Sequence, residues 1–110
     1  MRIDVRGKGL AVSAGLRDFV ERRLRLALGN RAERIDRVQV WIEDVNGPKG
    51  GEDKRCRVRV KGREVGERVV ETTGADLGAT VFEAAERVGR ATARALGRFQ
   101  QRRYDPLTQS

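Results

Sequence analysis

The stretch from Val38 to Lys61, VQVWIEDVNGPKGGEDKRCRVRVK, restricts the fold more than any other part of the chain. Val38, Val40 and Ile42 alternate with Gln39, Trp41 and Glu43; beyond a glycine-rich interval, Cys56, Val58 and Val60 alternate with Arg55, Arg57, Arg59 and Lys61. Side chains alternate faces along a strand, so the pattern predicts two strands, each apolar on one side and polar on the other. The interval Asn46-Gly47-Pro48-Lys49-Gly50-Gly51 holds the turn-forming residues of a hairpin connection, longer than a two-residue turn.

Upstream, Ile3 and Val5 between Arg2, Asp4 and Arg6 predict a short first strand, broken at Gly7 and Gly9. Ser13 is placed to cap a helix over Ala14–Leu28. Leu16, Phe19, Val20, Leu24 and Ala27 fall on one face of it, Arg22 and Arg25 lie opposite, and Arg23 borders the apolar stripe, where its stem should pack while its head reaches water. Gly29-Asn30 ends this helix, and Arg31–Asp36 reads as a polar connection. Downstream, Gly62–Gly66 reads as a turn, and Arg68–Thr73 as a third hairpin strand whose inward side Val69 and Val70 leave undecided. Thr73 or Asp76 caps a long second helix with Leu77, Val81, Ala85, Val88, Thr92, Ala95 and Phe99 in one stripe. Gly78, Gly89 and Gly97 each cost that helix ~1 kcal/mol against alanine. Gly78 and Gly89 share a side, which suggests close approach of a neighbouring element.

The resulting class is α+β, in the order β-α-β-β-β-α. A four-stranded sheet carries two helices on one face, because each helix has a single apolar stripe. One domain over residues 1–103 and a fraying tail over 104–110, interrupted by Pro106, account for the 110 residues.

Charge narrows the function. The formal net charge is +8, and 20 of the 24 cations are arginine, the remaining four being Lys8, Lys49, Lys54 and Lys61. Lys54, Arg55, Arg57, Arg59, Lys61 and Arg63 occur with no acid among them, and Arg87, Arg90, Arg94, Arg98, Arg102 and Arg103 do the same before Tyr104. A solvated helix face ordinarily mixes signs to gain i,i+4 pairs, so an all-positive stripe points to a polyanionic partner. Trp41 shares the strand arginines' face by phase, as a stacking surface for a base or an arginine or as a half-buried cross-strand aromatic.

Other chemistries find little support. There is no histidine, one cysteine, no metal-ligand spacing, no GxxxxGK[ST] loop and no nucleophile with a base beside it, so neither enzyme, metal nor cofactor is expected. Cys56 is in phase with Val58 and Val60 and reads as a buried small hydrophobe. The charged, alternating N-terminus is unlike a signal peptide, and no apolar run reaches the ~20 residues of a membrane span, which predicts a soluble, cytoplasmic protein that does not use a membrane.

The residues also resemble a known family. The opening Arg2-Ile3-Asp4-Val5-Arg6-Gly7, the helix Leu16-Arg17-Asp18-Phe19-Val20-Glu21-Arg22-Arg23-Leu24, the loop Asp44-Val45-Asn46-Gly47-Pro48-Lys49-Gly50-Gly51 with Asp53-Lys54-Arg55-Cys56-Arg57, and Ala75-Asp76-Leu77 before the arginine helix are similar, in order and spacing, to the ribosome hibernation promoting factor family. The resemblance covers about residues 1–103 and is to its short form, the ribosome-associated translation inhibitors also described as sigma-54 modulation protein-like. It implies a double-stranded-RNA-binding-domain-like fold with an added first strand. It also implies a stress-response protein that binds 16S-type rRNA of the small ribosomal subunit, occupies the mRNA and tRNA path, and silences translation. DNA is not an expected partner, and off the ribosome the protein is expected to be monomeric. The family's basic positions correspond to Arg22, Arg23 and Arg25 on the first helix and to Arg87, Arg90, Arg94 and Arg98 on the last. Lys54, Arg55, Arg57, Arg59 and Arg102 complete the expected rRNA-binding set. Gly78 stands where relatives often carry an aromatic, and the second domain through which long members pair ribosomes is not present in this sequence. The alternative reading is a general binder of structured RNA that senses A-form shape and phosphates.

Overall fold

The computed structural model describes residues 1–45 and 53–104, with side chains described as far as Arg98. The order is β1 (Arg2–Lys8), α1 (Ala14–Leu28), β2 (Arg37–Asp44), β3 (Lys54–Gly62), β4 (Gly66–Gly74) and α2 (Leu77–Tyr104), with a 3-10 turn over Gly29–Arg34. The strands lie side by side in sequence order. β1 runs parallel to β2, as the intervening helix requires, and the other two pairs are antiparallel. The predicted α+β order and one-sided packing are therefore observed. The hairpin loop over residues 46–52 and the tail over 105–110 lie outside the described residues; the α2 backbone continues through Tyr104, where the tail was expected to begin.

The inward phase of the sheet is the predicted one. Val38, Val40, Ile42, Cys56, Val58 and Val60 are each no more than 2% exposed, and Val5 joins them from β1. β4 resolves its ambiguity by register: Val58 faces Val70 and Cys56 faces Thr72, so Val70 packs on the core while Val69 stays exposed. Burial of Thr72 is tolerated because its hydroxyl donates to the Thr80 carbonyl at 2.8 Å. The Thr80 hydroxyl in turn donates to the Asp76 carbonyl at 2.7 Å, and Asp76 Oδ1 accepts from the Gly78 amide. Asp76, not Thr73, is thus the cap, and this small network fastens the start of α2 to β4.

From above, α1 contributes Val20, Leu24 and Leu28, and α2 contributes Val81, Ala84, Ala85, Val88, Ala95 and Leu96. Ser13 caps α1 as expected, its hydroxyl accepting from the Leu16 amide at 3.1 Å. Gly29 closes that helix at φ +59°, a left-handed value that glycine adopts without strain. Two residues of the presumed polar connections belong to the core: Ile35 and Val65 are each 2% exposed. They cap the end of the sheet where an Arg34–Glu64 ion pair joins the 3-10 turn to the β3–β4 turn. The Cys56 thiol sits in this interior, and burial raises its pKa to about 12.

The glycines of α2 divide into distinct roles. A Cβ on Gly89 would stand 2.8 Å from the Ala27 carbonyl oxygen and 3.2 Å from its Cβ, so glycine here lets the two helices close up. Gly78 has no such neighbour, its hypothetical Cβ meeting only Asp76 Oδ1 at 3.8 Å, and Gly97 has nothing within 4 Å. The expected close approach therefore holds for Gly89 alone of the pair.

Opposite signs follow for one substitution at two positions. Gly97→Ala should stabilise the domain by up to ~1 kcal/mol through helix propensity, whereas Gly89→Ala should destabilise it despite the same gain. Urea denaturation of both variants checks this; a stabilised Gly89→Ala protein would show that the seam has slack. In the sheet, Val58→Asp should abolish cooperative folding, because a carboxylate between Val40 and Val70 is buried without a partner. A soluble Val58→Asp variant with a single sharp melting transition would contradict the assigned inward face.

Candidate nucleic-acid interface

Two charged surfaces lie on opposite sides of the molecule, one on the helix layer and one on the uncovered face of the sheet. On α2 the core stripe leaves Arg87, Arg90, Arg94 and Arg98 exposed on the far side. Arg90, Arg94 and Arg98 make no ion pair among the described residues, while Arg87 meets Glu83 one turn earlier. On α1, Arg22 and Arg25 are exposed and likewise make no ion pair among the described residues. Arg23 is half-buried beside the apolar stripe, but its head turns onto Phe82 instead of reaching water: the guanidinium lies 4.5 Å from the ring centroid and Nε is buried. That contact joins the two helices and covers part of Phe82, which remains 44% exposed. The Arg102 side chain lies outside the described residues.

The sheet face differs in kind. Along β3 alone the cations look unopposed, but the register brings carboxylates beside them. Arg55 lies across from Glu43 and binds it at 3.3 Å, Arg59 pairs with Glu67 at 3.0 Å, and Glu71 stands across from Arg57. Asp4 of β1 meets Arg37 at 3.4 Å on the same face. Trp41 lies on this face as its phase requires, half-buried, with Arg57 and Arg59 each 5.7 Å from its ring centroid.

Lys54 is set apart from the row it begins in sequence. It shares the phase of Cys56, so it turns toward the helix side of the sheet, where Asp44 holds it at 3.1 Å and Asp53 at 3.2 Å. Its pKa is raised, mainly by the hydrogen bond to Asp44. The structure thus gathers Arg22, Arg25, Arg90, Arg94 and Arg98 on one layer as cations without ion pairs among the described residues, and Arg55, Arg57 and Arg59 on the other among acids. Sequence reading missed the compensating carboxylates because they come from neighbouring strands; only the pairing register could have revealed them.

Among the described residues no group of His, Cys, Asp and Glu could hold a metal ion, and no helix is long and apolar enough to cross a membrane. What the surfaces can do is electrostatic: guanidinium groups on a helical scaffold at regular spacing can meet successive phosphates.

The fold recurs in proteins of known structure. A ribosomal subunit interface protein from Coxiella burnetii shares the fold, with a TM-score of 0.71 at 19% identity over 86% of this chain and 96% of that one. The N-terminal domain of Protein Y from Thermus thermophilus superposes with a TM-score of 0.70 at 26% identity, over 86% of this chain and 98% of that one. No curated protein matches the sequence. Residues 3–103 match the family described as sigma 54 modulation protein / S30EA ribosomal protein, and the chain belongs to that family.

Proposed function

We propose that this protein is a ribosome-associated hibernation factor that inhibits translation in the cytoplasm by occupying the mRNA and tRNA path of the small subunit. Family membership supports ribosome association, and the observation that carries the mode of binding is the unpaired arginine layer on the two helices. Arg22, Arg25, Arg90, Arg94 and Arg98 meet rRNA phosphates, with Arg23 and Arg87 at the margin. Arg55, Arg57 and Arg59 face the second wall of the same cleft. Lys54, held between Asp44 and Asp53, is left out of this set. Such contacts supply affinity and position without reading sequence, so selectivity comes from the shape of the cleft. No bond is made or broken; the protein acts by being in the way.

Replacing Arg90 and Arg94 together with Glu should abolish cosedimentation with ribosomes while shifting stability by no more than ~0.5 kcal/mol per site, since both side chains are exposed. Loss of binding together with a collapsed melting transition would mean that these side chains support the core. Wild-type binding that survives the double charge reversal would remove the helix layer from the interface.

Occupancy also has a dose and a salt signature. If ~6–10 phosphates are met, affinity should fall by ~10³–10⁵ between 50 and 200 mM monovalent salt, less steeply where Mg²⁺ already neutralises the rRNA. Inhibition of a purified translation system should be stoichiometric with ribosomes and reversed by a high-salt wash. Lasting inactivation at one protein per ten or more ribosomes would instead indicate catalysis.

A further inference from the structure

The uncovered sheet face holds a trough bounded by two adjacent cross-strand rows. One row is Arg6–Trp41–Arg57–Glu71 and the other is Lys8–Glu43–Arg55. Between the rows lie Gly7 and Ile42, both in the inward phase: a Cβ on Gly7 would point at the Leu10 carbonyl and the Ile42 side chain is fully buried, so backbone forms the floor of an open pocket of about 230 Å³. Rows on one face of a strand are two residues apart, ~6.6 Å by the rise per residue. Carbon layers pack at ~3.5–4.0 Å, so the gap accepts one flat ring between the rows and no second one. The volume is below the ~300–1,000 Å³ of sites for drug-sized ligands, which limits a fully seated group to a single ring system.

The rim is chemically specific. Trp41 offers a π surface that already attracts two guanidinium groups. Arg55 is occupied by Glu43, but Arg6, Arg57 and Glu71 make no ion pair among the described residues. One row therefore presents, from β1 to β4, a guanidinium, an indole, a second guanidinium against the indole and a carboxylate, none of the three charged groups in an ion pair among the described residues. The β1 end suits a phosphate on the Arg6 guanidinium, with Lys8 beside it in a long, exposed pair with Glu43 at 3.9 Å. The middle suits a stacked base, and the carboxylate at the β4 end suits an exocyclic amino group, as acidic side chains accept from the amine of cytosine.

We propose that this trough binds a nucleoside 5′-phosphate whose base carries an exocyclic amino group, taken either free or as an unpaired residue of an RNA strand. The base stacks on Trp41 beside Arg57, the phosphate lies on Arg6 and Lys8, and Glu71 accepts from the amino group. The site is separate from the arginine layer of the helices and does not rest on it.

Trp41 is the single tryptophan of the chain, so its fluorescence reports this trough and nothing else. The intact protein is titrated with adenosine 5′-monophosphate, uridine 5′-monophosphate, inorganic phosphate, an unpaired hexa-adenylate and a short RNA duplex. Saturable quenching by the mononucleotide assigns a free ligand, and quenching by hexa-adenylate alone assigns an unpaired RNA residue. In either case the uridine nucleotide and the duplex should respond at least several-fold more weakly. Arg6→Gln with Arg57→Gln should weaken the response about tenfold, and Glu71→Gln should erase the preference over uridine; all three side chains are exposed, and melting curves confirm folding. No quenching by either adenine probe overturns the proposal, as does an equal response to uridine or phosphate, or quenching unchanged in the Arg6/Arg57 variant. The Arg90→Glu, Arg94→Glu protein should keep the quenching, so failure of ribosome binding and failure of this site are read separately.

Discussion

Burial of the sheet's inner face under two helices is the constraint on which the rest of this structure depends. Val58 sits at its centre, 2% exposed and flanked in register by Val40 and Val70. With strands alternating and each helix carrying one apolar stripe, the polar side chains are driven to two outer surfaces on opposite sides. The closeness of α1 and α2 at Ala27 and Gly89 completes the cover and holds the arginines of both helices on one layer. The charge layout is thus a consequence of packing.

The two surfaces are both basic, and electrostatics separates them. On the sheet, Arg55–Glu43 and Arg59–Glu67 are exposed or half-exposed pairs of the sort that contribute ~0–1 kcal/mol each; their effect is to neutralise. On α2, Arg90, Arg94 and Arg98 recur every four residues, a rise of ~6 Å, and unit charges at that separation repel by ~0.7 kcal/mol in water. The distance is shorter than the ~8 Å Debye length at physiological salt, so screening removes only part of it. A phosphate surface relieves this repulsion, which the fold itself leaves standing.

Much of this was legible in the sequence. Period-2 alternation set the inward phase of β2 and β3, Ser13 marked the start of α1, and the position of Arg23 beside the apolar stripe anticipated its partial burial, though not the turn of its head onto Phe82. What escaped depended on contacts between elements. Ile35 and Val65 looked like connection residues because a single buried side chain in a turn has no periodicity to announce it. Val69 and Val70 could be told apart only through their partners Arg59 and Val58. Lys54 looked like the first member of a basic row until its phase and its two carboxylates were considered together. The same cross-strand blindness hid Glu43, Glu67 and Glu71 and, with them, the trough beside Trp41.

The claim at the centre of this account is that the arginine layer recognises a particular ribosomal cleft and not RNA in general. Gradient sedimentation of the purified protein with isolated small subunits, isolated large subunits and long duplex RNA, at one fixed salt concentration, tests it directly. The account predicts comigration with small subunits at about one protein per particle, with little on large subunits or duplex. Equal loading of all three would contradict it and leave a general binder of structured RNA.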